Sequence, residues 1–112
     1  MTGSEILQNL FDERDALSDM IIEIKPRNDG ERNQLQTLMK RRDSITGVIN
    51  QIIAKNFNEA AEGLADNVSA LEKLTERLNQ LNKTIGNVNT AIQIADEIIK
   101  VAVSILALAA TV

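Results

Sequence analysis

The sequence predicts an all-α protein: an antiparallel helical hairpin plus a long C-terminal heptad-patterned helix, with a four-helix up-down bundle turning near Gly86 as the alternative. Three observations lead there. Leu64, Leu71, Leu78, Ile85, Ile92, Ile99 and Leu106 recur at every seventh residue, and Asn67, Leu74, Leu81, Val88, Ala95, Ala102 and Ala109 interleave with them at alternating three- and four-residue steps, the spacing of a coiled-coil seam. Pro26, followed by Arg27-Asn28-Asp29-Gly30, is a strong stop between two earlier apolar stripes. Phe11 and Phe57 are the only aromatic residues, so the core must be built from aliphatic side chains packed helix on helix.

The first helix is expected over about 4–24. Thr2 and Glu5 have the spacing of a capping box, in which side chains satisfy free backbone N–H groups at the helix start. Leu7, Leu10, Leu17, Ile21 and Ile24 form its stripe, widened by Ile6, Phe11 and Met20, and Arg14 lies within it with its head reaching for water. A proline ring forces the preceding residue out of the helical region and removes a donor, so residues 25–30 read as a turn, with Gly30 tolerant of a positive φ.

The second helix is expected over about 31–57, capped by Asn28 and Glu31, with Leu35, Leu38, Ile45, Ile49 and Ile52 as its apolar face and Arg42 and Asn56 as polar interruptions. Near Asn56-Phe57-Asn58 the hydrophobic phase slips, which favours a short loop over a stutter in a continuing helix. The long helix then covers about 59–110. Ile85 and Val88 keep the heptad phase through Thr84-Ile85-Gly86-Asn87-Val88-Asn89-Thr90, which favours one helix over two. At 1.5 Å per residue such a helix would reach roughly 75–80 Å, about twice either earlier helix, and its uncovered half would need a partner. The interaction seam expected is Leu64, Leu71, Leu74, Leu78, Leu81, Ile85, Val88, Ile92, Ala95, Ile99, Ala102 and Leu106, closing a homo-oligomer, with a dimer favoured, or receiving a helical protein partner.

Composition narrows the function. The 112 residues suit one domain, 1–112. There is no His and no Cys, which removes the commonest general base, the commonest metal ligand and all thiolate chemistry. Phosphate-binding glycine loops, nucleophile elbows and zinc signatures are missing, and Glu59 with Glu62 is an isolated carboxylate pair near a helix start, where the macrodipole favours acids. The expectation is a non-enzymatic chain with no catalytic residue, no cofactor, no metal and no small-molecule substrate. With 16 acids against 12 bases the net charge is −4, unlike a dedicated nucleic-acid binder. The only basic run, Lys40-Arg41-Arg42, is expected to pair with Asp12, Glu13, Asp15, Asp19 and Glu23 of the first helix.

The uncharged stretch 101–112 falls short of the ~20 apolar residues that span a bilayer, so burial in a bundle or interface is expected. A membrane-active role for that segment is the alternative function. The N-terminal residues lack the basic and apolar regions of a secretory signal, which sets a cytoplasmic location as the expectation. Asn56, Asn67, Asn82 and Asn89 lie in or beside the seams, where a buried amide can fix register at a cost in stability. No family signature is legible.

Overall fold

The computed structural model describes the backbone of residues 2–54 and 64–110, and the side chains of 5–54 and 64–108. Among the described residues there are four α-helices: α1 (Thr2–Glu23), α2 (Asp29–Ile53), α3 (Leu64–Gln80) and α4 (Val88–Ala110), with one 3₁₀ turn (Ile85–Asn87) leading into α4. The all-α class holds, and of the two arrangements the four-helix bundle with a turn near Gly86 is the one found. The bundle measures 48 × 22 × 16 Å with a radius of gyration of 14.6 Å, well short of the length of a helix over 59–110.

Residues 81–87 explain the break. Asn, Thr and Gly are weak helix formers because they compete for backbone hydrogen bonds, lose χ1 freedom or add backbone entropy. Here they also supply a closed turn. Thr84 is extended (φ −121°, ψ 156°), its N–H donates to the carbonyl of Asn82, and the N–H of Asn87 donates to that of Thr84. The Asn87 side-chain amide donates to the Asn82 carbonyl at 2.9 Å. The new helix therefore starts at Val88 through this 3₁₀ turn.

The first turn follows expectation in substance and differs in detail. Helix α1 ends at Glu23, Pro26 lies in the connection, and Asn28 caps α2, accepting the Glu31 N–H at 2.8 Å. Glu31 reaches back one residue further than in the usual capping box, accepting the Arg27 N–H at 2.9 Å. Gly30 lies inside the first turn of α2 and not in the connection, because the Asn28 cap starts the helix earlier. The expected Asn56-Phe57-Asn58 loop and Glu59–Glu62 pair lie outside the described residues, as do the side chains of the Thr2 cap and Ala109.

Helix α1 packs against α2 and α3, and α4 packs against the same two, leaving α1/α4 and α2/α3 on the diagonals. Side-chain pairs fix the directions. Asn9 meets Thr75 and Glu23 meets Lys83, so α1 and α3 run parallel. Arg77 meets Glu97 across antiparallel α3 and α4, and Arg41 meets Asp96 across parallel α2 and α4. The chain thus alternates up and down, and passes from α2 to the diagonal position rather than to the neighbouring one.

One aliphatic core runs through all four helices. Ile6, Leu10, Leu17, Leu38, Ile45, Ile49, Ile52, Leu64, Leu71, Ile94, Ile98 and Ile105 are its large, fully buried members. Burying each such side chain contributes on the order of 1.5–3 kcal/mol.

Candidate functional site

The expected seam divides once α3 and α4 separate. Leu64, Leu71, Leu74, Leu78, Val88, Ala95 and Ala102 are buried within the single chain. Leu81, Ile85, Ile92, Ile99 and Leu106 are only partly buried, packed against the edge of the core. The places that a continuous heptad would give to Ile92, Ile99 and Leu106 are filled by Ala91, Ile94, Ile98 and Ile105. A helix that packs on two neighbours buries a wider stripe than a two-stranded seam does, and α4 turns that wider face inward. The stretch 101–112 follows the same logic over its described part, with Ala102 and Ile105 buried and Val103 half exposed. Among the described residues no helix is long and apolar enough to cross a membrane, and no group of three or more acidic, His or Cys side chains is placed to hold a metal ion.

Two grooves flank α3. The one between α3 and α4, of about 490 Å³, has Ala70, Leu74 and Val101 as its floor and Lys73, Arg77, Lys100 and Glu97 around it. Three of these residues follow from helical spacing, since Ala70, Leu74 and Arg77 are three and four residues apart and share a face. Arg77 donates to Glu97 at 2.9 Å across the groove, both side chains being about half exposed. With that pair neutralised, Lys73 and Lys100 leave the rim positive.

The groove between α1 and α3, of about 400 Å³, is lined by Asp12, Asp15, Asp19 and Lys83 over Ala16, Met20, Leu78 and Leu81. Lys83 approaches Glu23 at 3.4 Å and Asp19 at 4.0 Å. Glu5, Asp12, Asp15, Asp19 and Glu23 are all exposed, which gives α1 an acidic outer face.

The Lys40-Arg41-Arg42 run does not pair with that face. Arg41 binds Asp96 of α4 at 2.6 Å, and Arg42 binds its neighbour Asp43 at 3.1 Å. The reason is rotational: Arg41 falls on the α4 side of α2, Asp12, Asp15 and Asp19 line the groove with α3, and Glu13 is buried. Arg14 sits over the Phe11 ring at 5.0 Å and pairs with Asp15, which places its charge at the surface as its position in the stripe requires.

Glu13, expected from sequence as one of the surface acids that pair with the Lys40-Arg41-Arg42 run, is instead a core residue. It is fully buried, and neither carboxylate oxygen has a hydrogen-bond partner. Burial pushes its carboxyl up from 4.5 to about 8, the Thr75 hydroxyl opposes this, and the like charge of Asp12 adds to it. Burial is the largest of these causes, and the Thr75 hydroxyl also lies 2.9 Å from the Leu71 carbonyl and 3.1 Å from Asn9 Oδ1. At neutral pH the group is therefore a neutral acid in the bundle core. The signal was present: Leu10, Leu17 and Ile24 are spaced by seven, and so are Ile6, Glu13 and Met20, which puts Glu13 at the centre of a strict heptad stripe.

Comparison with protein-family models, with curated proteins and with solved structures finds no match for this chain.

Proposed function

We propose that this is a non-enzymatic interaction protein that self-associates by docking helices on the outside of its bundle. The supporting observation is the complementarity of two surfaces on one chain: the apolar-floored, cation-rimmed groove between α3 and α4, and the acidic outer face of α1. The seam read from sequence is largely core, so the contact belongs to these outer surfaces. Because the two patches differ, the contact is heterologous, and such contacts build rings or open chains unless a second element closes them. Charges at an exposed rim act chiefly on encounter rate and orientation and are screened by salt, so the association is concentration-dependent and weakens with ionic strength.

Sedimentation equilibrium over a range of concentration and salt tests this directly. Two surface variants sharpen it: Lys73→Glu with Lys100→Glu on the groove, and Asp12→Lys with Asp19→Lys on α1. Each variant alone is expected to stay monomeric, and a mixture of each with wild type to recover one contact. A wild-type chain that remains monomeric at every concentration and at low salt overturns the proposal, as does association that neither variant weakens.

A further inference from the structure

Glu13 is the one buried polar or charged side chain among the described residues. It sits one helical turn from Leu10 and from Leu17 on the core-facing stripe of α1, on the side that meets α3 through Asn9 and Thr75. A buried acid with no hydrogen bond is rare in a native interior and calls for a reason. Both its oxygens are shut off from solvent, so solvating them requires α1 to move.

The charged groups on the neighbouring helices bear this out. On α2, Arg32 pairs with Asp29, Arg41 with Asp96 and Arg42 with Asp43, Glu31 is held by Arg27, and Lys40 is exposed. On α3, Arg77 pairs with Glu97, and Asp66, Glu72, Lys73 and Glu76 are exposed. On α1 itself, Asp12 adds negative charge and Arg14 pairs with Asp15. Helix α4 lies on the diagonal from α1, and its charged groups Asp96, Glu97 and Lys100 are exposed. Among the described residues no ion pair reaches Glu13, and both its carboxylate oxygens lack a hydrogen-bond partner.

We propose that Glu13 is a proton-gated latch on α1: protonated, it lets α1 seat against α3, and ionised, it favours a state in which α1 has swung away and α2 and α4 remain paired. Opening exposes the core faces of α1 and α3, the apolar surface that the closed bundle hides. The linkage has one sign. The open state releases the proton at the ordinary carboxylate value and the closed state only near pH 8, so between these limits the opening constant rises by up to about tenfold per pH unit. Acid closes the bundle and alkali loosens it.

The test uses the absence of native cysteine, which makes paired nitroxide labels specific. One pair, Gln8→Cys with Glu76→Cys, reports the α1–α3 distance, and the other, Gln36→Cys with Gln93→Cys, reports α2–α4; all four positions are exposed. Pulsed electron spin resonance distances are recorded from about pH 5 to about pH 9 at a fixed, sub-denaturing urea concentration. The expected result is a long-distance α1–α3 population that grows with pH while the α2–α4 distance stays constant, and that no longer responds to pH in Glu13→Gln or Glu13→Leu. Should the amide variant fail to fold, the leucine variant decides. An α1–α3 population that ignores pH, that responds equally in Glu13→Leu, or that lengthens together with α2–α4 overturns the latch.

Discussion

Ile98 and Ile99 are adjacent in sequence, and the bundle assigns them opposite fates from those a continuous heptad would assign. Ile98 is 0% exposed, whereas Ile99 is only partly buried at the core edge. In a single long seam Ile99 would be the buried residue and Ile98 would flank it. Truncating a fully buried isoleucine to alanine removes its transfer free energy and leaves a cavity, together about 2–5 kcal/mol. For Ile98→Ala the loss should lie near the middle of that range, about 3–4 kcal/mol, because its site faces other large aliphatic side chains that cannot collapse freely. For Ile99→Ala, whose side chain keeps part of its contact with water, the loss should be about 1–2 kcal/mol. The assay is urea unfolding followed by far-ultraviolet circular dichroism, which needs no aromatic reporter. With a slope of about 1–1.5 kcal/mol/M for a chain of this size, Ile98→Ala should lower the midpoint by about 2–4 M and Ile99→Ala by about 0.7–2 M. A larger loss for Ile99→Ala than for Ile98→Ala would refute the assigned rotation of α4 and restore the long seam.

Three further substitutions probe separate parts of the account. Asn28→Ala removes the cap of α2 and should cost about 1 kcal/mol, a fall of a few degrees in Tm; an unchanged Tm would show that the cap contributes nothing. Arg41→Ala breaks the α2–α4 ion pair, but both side chains are more than a third exposed, so the loss should stay below about 1 kcal/mol and shrink with salt. Glu13→Leu should stabilise the bundle by about 3–4 kcal/mol at pH 7, from the 2.5 units between pH 7 and the ordinary value of 4.5 at about 1.4 kcal/mol per unit. The sign follows from linkage: the raised folded-state value means the wild-type chain loses stability as pH climbs from 4.5 toward 8. The gap between variant and wild type should therefore widen over that window and stay constant above it, and a constant gap throughout would contradict the neutral acid.

Helix class, the Pro26 stop and the core face of α2 were legible because each rests on a local cause. A ring that cannot donate ends a helix wherever it sits, and Leu35, Leu38, Ile45, Ile49 and Ile52 mark one face regardless of what covers it. The turn at 81–87 was harder to read because its residues satisfy both descriptions: Ile85 and Val88 preserve the heptad phase, while Asn82, Thr84 and Asn87 close a turn through hydrogen bonds that only the folded geometry reveals. Val88, Ala95 and Ala102 stay buried in either arrangement, so half of the seam residues on α4 could not discriminate. The two grooves flanking α3 were not legible, because they depend on which helices become neighbours. Glu13 was in plain view and hidden by its type: charged residues are presumed to face water, and the stripe was drawn through Arg14 instead.

The central claim is that the Leu64–Leu106 pattern folds back on itself into one bundle. Small-angle X-ray scattering at high salt, extrapolated to zero concentration, tests it most directly. The account predicts the mass of one chain, a maximum dimension near the 48 Å length of the bundle and a radius of gyration near 14.6 Å. A maximum dimension of about 75 Å or more, the length of an unbroken helix over 59–110, would contradict it.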